Sequence, residues 1–579
     1  MARSRRSRIF LVTVLLILAA YFFLFLIYPT LYVVARSLVN QGRLTLEFYH
    51  NTFIDIGSRR SLVNSLAIGF LVTAFTTVLA LPLAMATVKR DFPGKGWVHA
   101  LVLLPMIMPP FIGAIGLRQM LARSGSVNLL LAHLVHGVTG GLTTLGVMTA
   151  PWHMPAVDWL AIAPFWAVVF LEVLHLYPIM YLNVVASLAN VDPSLEEAAA
   201  NLGGGGWNVF RTVTFPLMLP GYFAGASIVF IWAFTDLGAP LVLNFKQVIP
   251  STIYDMSTRL NTEPKGYVLV MITLFLTAVF YLLARRLMHG RTFTMMSKGA
   301  LGTKPPRASA RLTLAIYCFL GALTVLALLP HIAVVLSAFT RQWSDTVLPT
   351  EYTLQNFVQV FSRNYTVSSV INSLVYSAGA TLVVLVLGIL IAYLLVRQRF
   401  AGAQALDALT MLPLALPGIV LAFGYLTAYY DVPVIGIRFD PLIFIIVAYS
   451  MRRLPYMVRA AVAGFQQVSP ALEEASVNLG ATAFATLRRI TVPLVIGNLL
   501  AGGLLTFVFS MFEVSCSLLL LQRPEVFSFA PALYKVANDA QRGVYEASAF
   551  GLLGMLVLAV SLVLASRFLG RRMGEVFRI

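Results

Sequence analysis

Charge is what this sequence has least of. Only 11% of its 579 residues are charged and only 23 are acidic, against 59% that are apolar. A soluble domain carries about 25% charged residues, so a chain that folds in water is excluded. Cysteine is almost missing. Cys318 and Cys516 lie in separate apolar runs with no His or Asp at metal-ligand spacing, which leaves buried packing as their reading. Strand-like alternation is absent as well, so helices are the way these backbones satisfy their hydrogen bonds in lipid. The net charge of +18 comes without a soluble domain in which basic residues alternate with aromatics, which excludes a nucleic-acid binder.

What is present is a series of apolar stretches of about 20 residues, each long enough to cross a ~30 Å hydrocarbon core. Twelve spans are predicted, at 9–36, 62–88, 97–117, 161–186, 215–243, 266–284, 312–339, 369–396, 405–428, 439–451 (continuing toward 465), 494–520 and 547–566. Arg3, Arg5, Arg6 and Arg8 precede the first, whose apolar run to about Val34 is too long for a cleavable signal and is taken as a retained span. With the N-terminus inside, the inner segments collect most of the 41 Lys and Arg residues, including Lys89, Arg90, Arg285, Arg286, Arg397 and Arg567. By the positive-inside rule both termini are then cytoplasmic.

One loop is written twice. Pro193-Ser-Leu-Glu-Glu-Ala-Ala-Ala-Asn-Leu-Gly203 returns 277 residues later as Pro470-Ala-Leu-Glu-Glu-Ala-Ser-Val-Asn-Leu-Gly480, and Arg211 and Pro216 return as Arg488 and Pro493. Upstream, an offset of 308 aligns Asn64-Ser65 with Asn372-Ser373, Pro105 and Pro109 with Pro413 and Pro417, and Gly116 with Gly424. The first half therefore carries an extra stretch, around 118–177. The repeat is parallel, which divides the chain into a first domain at 1–290, a polar linker at 291–311 and a second domain at 312–579. Both copies of the loop fall on the inner side.

The loop has a physical grammar. Asp192 and Ser469 are N-cap residues followed by Pro at the first helical position. Glu196, Glu197, Glu473 and Glu474 occupy first turns, where carboxylates suit the helix dipole. Gly203 and Gly480 suit a left-handed cap at the end of a helix of about ten residues. A second short helix leads to Pro216 or Pro493, expected to start the next span. The product is a compact helix–turn–helix foot, and capping alone does not account for the in-phase return of Leu195, Ala198, Asn201 and Arg211 as well.

These residues carry a family resemblance. Glu197-Ala198-Ala199 with Gly203, and Glu474-Ala475 with Gly480, resemble the Glu-Ala-Ala…Gly signature of binding-protein-dependent ABC importer permeases. Ser476 departs from the third position, and the ends read Val-Thr-Phe-Pro and Ile-Thr-Val-Pro. The resemblance covers nearly the whole chain except the extra stretch. It implies an all-α integral membrane fold of about 12 transmembrane helices in two parallel six-helix repeats, each with a cytoplasmic coupling-helix loop. It implies coupling to an ATPase through Glu196, Glu197, Ala198, Ala199, Gly203, Glu473, Glu474, Ala475 and Gly480. Arg453-Leu-Pro-Tyr-Met-Val-Arg459 and Thr235-Asp-Leu-Gly-Ala-Pro-Leu-Val-Leu243 are similar to fused ferric iron permeases. Relatives of that kind also serve aminoethylphosphonate, thiamine and polyamines.

No Walker A loop is present: Gly94-Lys95 is followed by Gly96, and Lys89 stands where the leading glycine belongs. The chain is thus expected to be a transport subunit and not an enzyme, with no cofactor or metal of its own. ATP and Mg are expected to be used by two copies of a cytoplasmic ATPase. The other expected partners are a periplasmic or extracellular substrate-binding protein and the bilayer of a bacterial cytoplasmic membrane. Asp236 and Glu513, related by 277 and set within spans, are candidate pathway residues, since intramembrane acids are costly and face a cavity or a partner. A helix–helix hydrogen bond is the equal alternative. Glu172 and His175 share one helical face and are read as a packing pair, and His133, His136 and His153 with Trp152 and Trp159 as an interfacial loop. An ion-coupled secondary transporter, with discontinuous helices and midplane acids, is the rival class.

Overall fold

The computed structural model describes residues 5–107, 109–144, 152, 154–257, 264–288, 305–429, 440–539 and 543–569. Most of the predicted 291–311 linker, His153 and the last ten residues lie outside them. Among the described residues ten helices are long and apolar enough to cross a membrane, and each overlaps a predicted span. The remaining two predicted spans, 97–117 and 405–428, are not straight. Each is a pair of helices, 95–106 with 110–121 and 403–414 with 418–429, bent by 80° and 98°. The breaks fall at Pro109 and Pro417, where a missing N–H and a ring clash stop the preceding helix. Counting each bent pair as one span gives twelve.

Two other predicted spans end early. The helix Phe215–Thr235 stops at Asp236 and resumes as Gly238–Val242, and Val492–Met511 stops before Glu513 and resumes as Ser515–Leu520. Pro240, whose ring would clash with the Asp236 carbonyl in a continuous helix, marks the first break, and no proline marks the second; hydropathy runs straight through both. Pro216 and Pro493 do not start new helices either. The short helices Gly206–Val209 and Ala483–Thr486 continue through π turns, Phe210–Thr214 and Leu487–Thr491, directly into the spans. In a π turn the N–H reaches the fifth carbonyl back, as Phe215 does to Phe210, so the missing proline N–H is absorbed where the ladder is already shifted.

The two halves exchange their first spans. The opening helix Ala310–Ala338 of the second half lies against Pro110–Leu121 of the first, and Tyr28–Leu38 lies against Gly418–Tyr429 of the second. Repeated glycines permit both crossings. A Cβ on Gly116 would sit 1.9 Å from the Pro330 carbonyl oxygen, and one on Gly424 would sit 3.2 Å from Pro29 Cβ. The second contact is reinforced where the first span forms a π turn, Phe23–Ile27. Tyr425 donates to the Phe25 carbonyl at 2.5 Å, and Tyr429 donates to that of Leu24. Loosened carbonyls in that turn are natural acceptors for phenols from another helix.

Candidate functional site

Both feet form as the loop grammar requires, with one difference. The first is the helix Pro193–Asn201, and Asp192 Oδ1 accepts from Ser194 N at 2.9 Å. Those bonds hold the Asp192 carboxyl below its usual range. The second is Pro470–Asn478, but Ser469 makes no side-chain capping bond. Pro470 at the first helical position and Glu473 in the first turn mark the start of that helix. Gly203 and Gly480 take φ of 86° and 88°. The Gly204 and Ala481 amides reach back to Ala199 and Ser476 at 3.1 Å, closing each helix with a left-handed turn.

The paired glutamates divide their work. Glu196 accepts hydrogen bonds from Lys89, at the end of the long helix Ile56–Lys89, and from Thr214 in the π turn. Its counterpart Glu473 accepts from Arg397 Nε at 2.9 Å and from Thr491 at 2.9 Å. Arg397 also donates to the carbonyls of Phe465 and Val468 at 2.9 and 2.7 Å. The same basic–acid–threonine tether is therefore built twice, with Lys89 and Arg397 related by 308 and the threonines by 277. Glu197 and Glu474 point outward and are exposed, as are Ala198 and Ala475. Ser476, the departure from the motif, is buried and hydrogen-bonds Thr486 at 2.9 Å. The first half places the apolar pair Ala199 and Val209 at the same positions.

Each foot also presents apolar groups to solvent. Leu202 and Leu479 are each 90% exposed, beside Leu195 with Trp207 on one foot and Leu472 with Phe484 on the other, all exposed. Leu202, Leu479, Trp207 and Phe484 escaped the reading of the motif. The signal was available, because Trp207 and Phe484 are related by 277, but one aromatic replacing another does not register as an identical repeat. Six exposed large side chains at polar loops mark contact surfaces.

The predicted intramembrane acids sit at the helix breaks. Asp236 Oδ2 accepts from Ala239 N at 2.8 Å, and Glu513 Oε2 accepts from Cys516 N and Ser517 N at 2.8 and 3.2 Å. Each caps the short helix that follows. Their outer partners differ. Asp236 meets the carboxyl of buried Glu172, so the partner of Glu172 is Asp236. Glu513 forms an ion pair with Arg452. Gly418 provides the floor for that pair, since a Cβ there would lie 2.5 Å from Arg452 Nη1 and 3.0 Å from Glu513 Oε1. Buried Cys516 donates its thiol to the Gly418 carbonyl at 3.3 Å, as packing requires, whereas Cys318 is exposed and does not fit the buried reading.

A small cleft lies where the halves meet. Trp232 and Thr235 line it from the first half, and Pro413, Pro417, Arg452, Arg453 and Tyr456 from the second. The acids stand just behind this lining, next in sequence to Thr235 or paired with Arg452. His133 and His136 lie on the helix Ser126–Thr144 of the extra stretch, away from this cleft's lining, and Asn128 there ties Val157 and Trp159 to it at 3.2 and 2.9 Å. Among the described residues no group of three His, Cys, Asp or Glu is placed to hold a metal ion.

A duplicated membrane body, helical apart from one short hairpin at Val39–Leu44, with exchanged first spans, a cleft between the halves and two matching feet defines a polytopic transport protein. Residues 77–291 and 384–575 each match the family of binding-protein-dependent transport system inner membrane components, and the chain belongs to that family. It is a multi-pass inner-membrane permease. It is 28% identical over 569 residues to the ferric transport system permease FbpB of Actinobacillus pleuropneumoniae, spanning 96% of this chain and 77% of that protein. A Haemophilus influenzae protein carrying a ferric transport system permease name is 28% identical over 522 residues, 88% of this chain and 78% of its own length. The molybdenum transport permease ModB of Escherichia coli is 26% identical over 230 residues, which is 39% of this chain but 91% of that protein. One such protein therefore corresponds to a single half of this chain.

Proposed function

We propose that this chain carries both permease domains, 1–290 and 312–579 joined by 291–311, of an ATP-driven importer, with both termini and both feet in the cytoplasm. Two copies of an ATPase that uses ATP and Mg dock on the feet. Contact residues are Glu197, Ala198, Glu474 and Ala475 with the exposed Leu202, Trp207, Leu479 and Phe484. Gly203 and Gly480 shape the surface, and Glu196 and Glu473 with Ala199 anchor it from behind. The observation that carries this reading is the doubled foot. Two surfaces of the same shape, each tied by a basic–acid–threonine triad to a long helix, suit two identical partners and a rigid transmission of movement.

Closure of the ATPase pair draws the feet together and rocks the halves about the exchanged first spans, so that the cleft opens outward to a substrate-binding protein. Hydrolysis resets the inward-facing state. The ferric permease names of two long-matching relatives favour ferric iron as the cargo. Asp236 and Glu513 hold the helix breaks that border the pathway. The test is affinity purification of the full chain from its native host. An ATPase should be recovered with the wild type and lost from Leu202→Asp/Leu479→Asp, and cells lacking the chain should lose radioactive ferric iron uptake. Recovery of the ATPase undiminished by the double substitution would refute docking at the feet.

A further inference from the structure

The central cleft breaks the symmetry of the repeat with charge. At the positions of Arg452, Arg453 and Tyr456 the first half has His175, Leu176 and Ile179. Both arginines stand at the middle of the long helix Pro441–Gln467, where an ionised side chain is costly and marks a functional site with a partner still to be named. Arg452 has its partner in Glu513. Arg453 does not. It is 8% exposed and lines the cleft, its Nη2 donates to the Phe509 carbonyl at 3.1 Å, and its guanidinium lies over the Phe509 ring at 5.2 Å. Its buried Nε has no hydrogen-bond partner. No carboxylate among the described residues pairs with it within ion-pair distance.

Two arginines and one glutamate leave this wall of the cleft with one uncompensated positive charge, held on the surface facing Thr235 and Trp232 of the other half. A guanidinium fork matches an oxyanion with two parallel N–H···O bonds and cannot lose its proton. We propose that the cleft is an oxyanion-binding site in which Arg453 is the recognition residue, so that cargo crosses as an anion. Resting on the importer reading, this means that ferric iron would pass as a complex whose outer face is carboxylate or phosphate oxygen. A bare trivalent cation would meet the Arg453 charge in the cleft. Tyr456, on the same helix face one turn on, lines the cleft beside it.

The experiment uses the full chain in phosphatidylcholine nanodiscs, free of anionic lipid, with citrate and ferric citrate as probes and binding calorimetry as readout. Wild type is expected to bind citrate saturably. Arg453→Gln should weaken binding at least tenfold, and Arg453→Lys, which keeps charge but not the fork, severalfold. Arg459→Gln, on the same helix but exposed and paired with Asp407, should bind as wild type does. Tyr456→Phe is read alongside in case Arg453→Gln does not fold, with a loss in affinity at unchanged melting temperature expected. Tighter binding of ferric citrate than of citrate supports passage as an anionic iron complex. Citrate binding without iron uptake in cells would support the oxyanion site and overturn iron as cargo. Equal citrate affinity in wild type and Arg453→Gln, or citrate binding by neither, would overturn the site, and retained iron uptake in that variant would leave the iron reading standing.

Discussion

Glu473 is expected to act as the latch of the second foot, and removing it should loosen the foot without unfolding the membrane body. The side chains of Arg397 and Glu473 are only 12% and 15% exposed. Glu473→Ala deletes one charge-assisted bond and one hydroxyl bond, which typically contribute about 1.5–3 and about 1 kcal/mol. Stranding a buried partner costs about 3–5 kcal/mol in the worst case. Arg397 keeps its bonds to the Phe465 and Val468 carbonyls, so the stranding penalty is reduced. A net loss of about 2 kcal/mol remains after allowing for residual solvent, which is roughly a 30-fold rise in the open population of the foot. Hydrogen exchange on the purified chain reads this directly as faster exchange over 470–480. Glu474→Ala, one residue on but exposed, is the control and should leave exchange unchanged. Equal loss of protection in the two variants, or none in Glu473→Ala, would refute the division of labour between the paired glutamates.

Gly418→Ala should force the Arg452–Glu513 pair off its seat and lower stability by about 1–3 kcal/mol, visible as a lower melting temperature in detergent. An unchanged melting temperature would mean that the pair has room to move. Tyr425→Phe should cost about 1 kcal/mol by leaving the Phe25 carbonyl unpaired, and Tyr425→Phe/Tyr429→Phe should ease proteolytic release of the first span in a chain nicked after it. Asp55 is held down to about 2 by the Lys265 ammonium, its first cause, and by hydrogen bonds from Ser58. A depressed carboxylate stabilises fully above its unfolded value near 3.9 and loses that contribution as pH falls toward 2. The wild type should therefore lose melting temperature between pH 4 and 2 more steeply than Asp55→Asn. Gly203→Val/Gly480→Val should strain both left-handed turns by about 1–2 kcal/mol each and uncouple ATP hydrolysis from uptake. Normal coupling in that variant would count against rigid feet.

The feet were legible because their grammar is local. Caps, prolines and positive-φ glycines write themselves into consecutive residues, and the offset of 277 exposed the copy. The tether was legible in principle, since Lys89 and Arg397 obey the other offset. Those cations served as topology markers, and the dipole argument placed both glutamates of each pair alike, so only coordinates separate Glu196 from Glu197. The helix breaks at Asp236 and Glu513 left no trace in hydropathy, because one capping acid or one proline such as Pro240 scarcely changes the mean over a span. The exchange of first spans is a contact across hundreds of residues, between Pro29 and Gly424 or Pro330 and Gly116, and no periodicity encodes it. Arg453 was visible only as part of a resembling segment, and nothing in its spacing says that it faces the other half.

Where the two halves agree and where they diverge follows what each region must meet. The feet agree at the level of single side chains: Glu196 with Glu473, Thr214 with Thr491, Leu202 with Leu479. Such agreement is what two copies of one partner require, because a partner that fits the first foot must fit the second. The centre diverges at matching positions: Glu172 against Tyr449, His175 against Arg452, Leu176 against Arg453. A single small cargo passing between the halves touches both walls at once, so nothing requires the two walls to be identical. One wall can supply the charge while the other supplies shape through Trp232 and Thr235. Repetition thus persists where the ligand is paired and lapses where it is single. By that logic the cargo-recognising residues of this chain belong among the positions at which the repeat fails inside the cleft, and Arg453 is a buried charge there with no carboxylate in ion-pair range among the described residues.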